Sequence, residues 1–445
     1  MGAGVFRGFG SAGAVAALLA AAIALPAASA ADGQQARQAS ADPVVPDGRP
    51  VQSESAKVLD IIDGDTIVAR IQGDTRKKRI IRTAGMQTME DGECGFHEAS
   101  DLMTRLVDRR PIVLKSLDRI ARVNPNSGYR RLLRNVFLTS GVDVQAEILK
   151  SGLALPYSLS REIINEDLYS ALAQTAAASG QGLFSGTFCA PGPSQESPLQ
   201  LMINYNGSGA EWAAPGNKFI RIRNLSDLAV PVGGWRLRAA AHDSYHFPAA
   251  AVVPAQGEVI VRLGAGIDTP TEFHWPGNKV RFPIPGKSKY AGGGGYLFDP
   301  DGDIRAWSIY PCRVACTHPG MGNENWTIDV VWNPPGRPDD PNEETVTFSN
   351  VSGARVDLSY VVAEIQDHVY EFPNGTFVDP GESLVLRMGV GVSDRLTHHL
   401  MAPDPVLTRP GGAKHPIRLR THTGVLIACQ EYGAVPRCQV GTAQP

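Results

Sequence analysis

The chain has 445 residues, 43% of them apolar and 20% charged, and a formal net charge of −3. That length carries roughly two to four domains at about 150 residues each, and the apolar fraction lets each of them bury a core. The near-neutral balance excludes a chain that attracts polyanions over its whole surface, so any such activity rests on a local patch.

At the N-terminus, Arg7 is the lone charge ahead of the small apolar run Ala14 to Leu25, which Pro26 closes and Ala28-Ser29-Ala30 follows. A basic start, a short apolar stretch and a small-residue end read as a secretory signal over residues 1–30, cleaved after Ala30. The run falls short of the roughly 20 residues that a spanning helix needs. Residues 31–55 are polar and read as a flexible leader.

Residues 56–189 form the next unit. Val58 to Ile62, Ile67 to Ile71 and Arg79 to Ala84 are β-branched runs separated by Asp63-Gly64-Asp65 and Gln72-Gly73-Asp74; this predicts three strands joined by turns. Ala99, Leu102, Met103, Leu106 and Val107 then lie on one helical face, and Pro111 stops that helix. Strands are expected over Ile112 to Leu117 and Leu132 to Leu138, and helices over Val144 to Ser151 and Glu166 to Ser179. The order implies an α+β unit, a five-stranded barrel of the oligonucleotide-binding type with three helices against it.

Residues 190–198, Ala-Pro-Gly-Pro-Ser-Gln-Glu-Ser-Pro, read as a linker. Beyond it, short strands are punctuated by Gly, Pro and Asn, and the pattern repeats. Phe219 to Asn224 recurs as Thr345 to Asn350, Phe247-Pro248 as Phe372-Pro373, and Gly257 to Gly264 as Gly381 to Gly389. A steady offset of roughly 125 residues is the trace of a duplicated domain. Residues 199–316 and 325–438 are thus expected to be two all-β sandwiches of immunoglobulin-like type.

Six cysteines in an exported chain favour disulfides. Cys312/Cys316 and Cys429/Cys438 are close in sequence, which leaves Cys94 and Cys189 as a long-range pair. A zinc site at Cys312, Cys316 and His318 is the alternative, and it lacks a fourth ligand at the usual spacing. Asp299-Pro300-Asp301-Gly302-Asp303 looks like the start of a calcium loop, but Tyr310 stands where an EF-hand needs Glu, so a hairpin turn is expected.

The candidate chemistry lies in the first unit. Asp63-Gly64-Asp65-Thr66 taken alone is an ordinary hairpin turn. About 20 residues on come Arg82-Thr83-Ala84-Gly85-Met86-Gln87-Thr88-Met89-Glu90, and later Tyr129-Arg130-Arg131-Leu132-Leu133. With Lys150-Ser151-Gly152-Leu153-Ala154 and Gly182-Leu183-Phe184, these motifs resemble the staphylococcal nuclease (thermonuclease) family over Lys57 to Phe184. Aligning the family's strand arginine with Arg82 rather than Arg79 keeps a carboxylate, Glu90, at the position of the base.

The resemblance implies a secreted nuclease that hydrolyses phosphodiester bonds of DNA, RNA or both with Ca2+ as cofactor. Its metal ligands would be Asp65, the Gln87 side-chain oxygen and the Thr88 carbonyl, with Asp63 ordering that shell. Glu90 would act as base on water, and Arg82 and Arg131 would hold the phosphate. Tyr129, Arg130 and Tyr157 would contact the nucleic acid. The family usually has Asp where this chain has Gln87, which removes one negative charge from the site. Phosphate contacts are expected from two clusters, Arg76-Lys77-Lys78-Arg79 and Arg119, Arg122, Arg130, Arg131 and Arg134. In the C-terminal half, Asn224, Gly234-Trp235, Phe247-Pro248 and Gly257 resemble the lamin-tail domain, which implies attachment to a cell-surface or other extracellular ligand.

Overall fold

Strand-forming runs with alternating burial close on themselves in the first part of the chain. The computed structural model describes residues 50–118, 131–158, 160, 162–189, 198–205, 218–239, 243–277, 281–283, 292–332, 340–366, 368–407 and 415–432. Strands β1 (Gln52–Ile61), β2 (Thr66–Ile71), β3 (Arg79–Thr83), β5 (Pro111–Ser116) and β6 (Leu132–Leu138) form a closed barrel in the order β1-β2-β3-β6-β5. A two-residue strand β4 (Met86–Gln87) pairs with β7 (Leu155–Pro156) beside it. Three helices, α1 (Phe96–Val107), α2 (Val144–Lys150) and α3 (Glu166–Ala178), complete the unit.

The barrel interior is built from alternate strand residues. Val58, Ile67, Ala69, Ile81, Leu114 and Val136 have no exposed surface, and each side chain of Val or Ile size contributes about 1.5–3 kcal/mol on burial. Helix α1 buries Ala99, Met103 and Val107, spaced four apart on one face. Asp143 caps α2, its side chain accepting the Ala146 N–H at 3.1 Å.

The rest is all β. The first two-sheet unit has the sheets β15-β14-β9-β8 and β12-β11-β16-β17 and the small pair β10-β13. They are built from β8 (Leu199–Asn204), β9 (Phe219–Asn224), β10 (Val230–Pro231), β11 (Arg236–Ala239), β12 (Ser244–His246), β13 (Val252–Val253), β14 (Glu258–Leu263), β15 (Glu272–Trp275), β16 (Gly293–Phe298) and β17 (Ile304–Tyr310). The second unit repeats that order as β18-β19-β24-β25, β22-β21-β26-β27 and β20-β23. Its strands are β18 (Trp326–Val331), β19 (Thr345–Asn350), β20 (Val356–Asp357), β21 (Val362–Ile365), β22 (His368–Glu371), β23 (Phe377–Val378), β24 (Ser383–Arg387), β25 (Thr397–His399), β26 (His415–Arg420) and β27 (Leu426–Tyr432). Both units contain one parallel pair, β14/β15 and β24/β25. Asparagine hubs match as well. Buried Asn224 donates to the Leu228 and Pro254 carbonyls while its Oδ1 accepts from Ser226, and buried Asn350 donates to Ala354 and Val378 while its Oδ1 accepts from Ser352.

The units share surfaces rather than hanging on a tether. Tyr296, Phe298, Ile304 and Ile309 of the first two-sheet unit belong to the same apolar cluster as the barrel core. Phe184 meets Trp307 edge-on at 5.6 Å, and Gln174 of α3 exchanges hydrogen bonds with Pro311 and Arg313. Between the two-sheet units, Arg221 pairs with Glu371, Tyr360 donates to Glu258 at 2.9 Å, and His422 Nδ1 lies 3.2 Å from the Ile203 carbonyl.

Several expectations change here. β1 begins at Gln52, so the last four residues read as leader belong to a strand paired with β5. Cys94–Cys189 and Cys312–Cys316 are disulfides, and the second removes the zinc alternative. Cys429 is also disulfide-bonded, while Cys438 lies outside the described residues. Asp299 does sit in a hairpin, its side chain accepting the Asp301 and Asp303 N–H groups. Residues 1–49, read as signal and leader, and 190–197 of the expected linker lie outside the described residues. Among the described residues no helix is long and apolar enough to cross a membrane.

Candidate functional site

The tight β1–β2 turn sets the first carboxylates. Gly64 is required because a Cβ there would come within 2.6 Å of the Ala99 Cβ on α1 and 2.8 Å of the Thr88 side chain. The turn is closed by the Asp65 N–H donating to Asp63 Oδ1 at 2.9 Å. Asp65 is buried, and its two oxygens are both engaged. Oδ1 accepts the Thr66 hydroxyl at 2.9 Å, and Oδ2 accepts the Thr88 N–H at 3.0 Å and lies 2.8 Å from Arg82 Nη2. Burial, and then the Asp65 charge, push the Asp63 carboxyl up to about 6.

Arg82, next to last on β3, lies directly across from Thr66 in the β2–β3 register. It is 7% exposed, and its Nη2 also donates to Gln87 Oε1 at 2.6 Å. One guanidinium nitrogen thereby bridges Asp65 and Gln87. Gln87 is held on β4 after the left-handed turn at Gly85 (φ 84°), where a Cβ would strike the Tyr169 ring at 2.6 Å. Its amide nitrogen donates to the Thr88 carbonyl at 3.0 Å and to Glu90 Oε1 at 2.8 Å. Asp63, Asp65, Arg82, Gln87, Thr88 and Glu90 are thus joined in one hydrogen-bonded chain, with buried Asp65 at one end and exposed Glu90 at the other.

Two further expected site residues, Arg131 and Tyr157, are described on neighbouring elements. Arg131 is half-buried at the head of β6, which runs parallel to β3 with Arg82 opposite Leu133. Tyr157 is half-buried directly after β7, its N–H donating to the Gly85 carbonyl at 3.0 Å. Tyr129 and Arg130 lie outside the described residues, as do Arg119 and Arg122. Arg134 is a correction. It is 1% exposed and pairs with Glu54 at 2.9 Å, so it ties the barrel together rather than facing solvent. No protein-family model and no curated protein matches the chain.

The oxygens expected to ligate a cation are all of the hard type, from one carboxylate, one amide and one peptide carbonyl, and they lie in one place. That chemistry fits Ca2+ in kind. The charge is low, and the Gln87 and Thr88 oxygens accept protein donors. Among the described residues no three His, Cys, Asp or Glu side chains form a metal-binding group.

Sequence reading missed what lies behind Glu90. Its N–H donates to Glu93 Oε2 at 2.8 Å. Glu93 in turn pairs with Arg236 at 2.5 Å and Arg238 at 2.9 Å, both on β11 of the neighbouring unit. Burial works to raise the Glu93 carboxyl, but the Arg238 charge, the Glu90 N–H and Arg236 together hold it below its ordinary value. No sequence spacing links positions so far apart.

A second feature sits at the other end of β2. A cavity of about 730 Å³ opens beside the β2–β3 loop, and Lys57, Arg70, Arg76 and Lys77 line it. Arg79 is tied to Asp74 at 2.5 Å.

Proposed function

We propose that the chain is a secreted nuclease of the staphylococcal nuclease type, hydrolysing phosphodiester bonds of DNA, RNA or both with Ca2+. The observation that carries this reading is the continuous contact of Asp65, Arg82, Gln87 and Glu90 on a closed five-stranded barrel. Asp65, Gln87 and Thr88 would hold the ion, which when bound polarises a phosphate oxygen. Glu90 is exposed at the end of the chain of contacts, and its carboxylate takes a proton from the attacking water. Arg82 and Arg131 present guanidinium groups to the phosphate oxygens and stabilise the charge that builds on them. Tyr157 flanks the strand that carries Gln87 and offers a ring to a base. The cations around the β2–β3 cavity extend the phosphate-contacting surface without reading sequence. The two-sheet units are read as lamin-tail sandwiches that attach the enzyme to an extracellular ligand.

A second reading is a nucleic-acid-binding module with feeble catalysis. Gln87 favours it, because affinity for Ca2+ rises with ligand charge. Cleavage of a labelled oligonucleotide by Glu90→Gln and Arg131→Ala variants separates the two. The nuclease reading predicts that Glu90→Gln lowers kcat about a hundredfold or more while binding changes little. It also predicts that Arg131→Ala weakens turnover; a wild type that binds the oligonucleotide without cutting it points to the binding module, and variants that cut as fast as the wild type remove Glu90 and Arg131 from the mechanism.

A further inference from the structure

We propose that the first two-sheet unit supplies positioning residues for the barrel's site, with Arg236 and Arg238 holding the Glu93 carboxylate and Glu93 holding the backbone of Glu90. This rests on the reading of Glu90 as the base.

The segment from Glu90 to Gly95 has no helix or strand of its own. Its internal tie is the turn closed by the Glu93 N–H donating to the Glu90 carbonyl at 2.8 Å. Such a segment places a carboxylate poorly unless something outside it fixes the backbone. The Gln87 amide reaches the Glu90 carboxylate from within the barrel unit, and three further ties come from the neighbouring unit. First, the Glu93 carboxylate is divided between two arginines and the Glu90 N–H, with Oε1 on Arg236 and Oε2 on Arg238 and Glu90. Second, Arg238 Nη1 also reaches the Met89 sulfur at 3.6 Å, on the other side of Glu90. Third, Cys94 is bonded to Cys189, whose N–H donates to Asp303 Oδ1 at 3.1 Å in the β16–β17 hairpin.

The Arg238 side chain is 2% exposed, so its pairing with Glu93 is screened little by water. A buried charge of this kind fixes its partner firmly, because removing either member leaves the other uncompensated. Arg236 and Arg238 are two apart on β11 and therefore project to the same face of its sheet. A sandwich that served only for attachment would have no reason to present both charges to the loop of the base. The general base tolerates small displacement poorly, since an error of about 1 Å in placement can cost about a hundredfold in rate.

The test uses the full chain with Glu93→Gln, Arg236→Gln and the double variant. Two readouts are taken, steady-state cleavage of a labelled oligonucleotide over a substrate series and amide hydrogen exchange over residues 89–95. In a folded Glu93→Gln chain the expected result is a drop in kcat of about tenfold with KM held within about twofold, because the phosphate-holding arginines are untouched. The Glu90 amide should exchange faster in each variant. The double variant should lose little more than Glu93→Gln alone, since both changes break one contact. An unchanged kcat, or losses that multiply in the double variant, overturns the proposal. If the wild type cuts nothing, the nuclease reading has failed, and exchange still decides the clamp. Loss of Glu90 protection in Glu93→Gln supports it, and unaltered protection overturns it.

Discussion

In the proposed nuclease, Gln87 is the residue on which the chemistry turns. Its amide spends the oxygen on Arg82 and the nitrogen on both the Thr88 carbonyl and Glu90. A carboxylate at this position has no N–H to donate, so it releases Thr88 and Glu90 and adds a second negative charge beside Asp65. Gln87→Asp is therefore expected to lower the calcium concentration for half-maximal cleavage about tenfold. A calcium titration of cleavage rate reads this directly, and an unshifted midpoint removes Gln87 from the cation's surroundings. At the same scale, Arg134 shows why residue roles were only partly readable in the sequence. Its place in a run of arginines suggested phosphate, yet its partner, Glu54, is 80 positions away and covers it. Charge is written in the sequence, whereas burial depends on contacts that sequence proximity does not reveal. Asp65, Arg82 and Gln87 lie within 23 positions of one another, so the motifs that carry them were readable although their mutual contacts were not.

Among the elements, the barrel strands and helices α1 to α3 fall within a few residues of their expected bounds, apart from β1, which starts six residues earlier than expected. Burial of one strand face imposes a period of two, and burial of one helix face a period near 3.6. The pair β4–β7 has only two residues per strand, too few for a period, and it was missed although it carries Gln87. The β2–β3 loop allows a separate prediction. Arg76 and Lys77 are exposed and line the basic cavity, whereas Arg79 is tied to Asp74. Replacing Arg76 and Lys77 by Ala should weaken binding evenly across sequences and lower the slope of log Kd against log salt by about 2. Fluorescence anisotropy of labelled single strands over a salt series measures it; an unchanged slope assigns those cations to solvent.

For the whole molecule, the duplication was readable because the same strand motifs recur, and the repeated sheet orders and the matching hubs at Asn224 and Asn350 agree with it. The packing between units was not readable. Tyr296, Phe298, Ile304 and Ile309 look like ordinary core residues of their own strands, and nothing in their spacing says that they complete the barrel's core. The barrel and the first two-sheet unit thus share one apolar core. The measurement that bears most directly on the central claim is nicking of supercoiled plasmid by the purified full chain, in millimolar calcium and again in excess chelator. Nicking in calcium that stops in chelator is the expected result. Nicking that persists in chelator, or none under either condition, contradicts it.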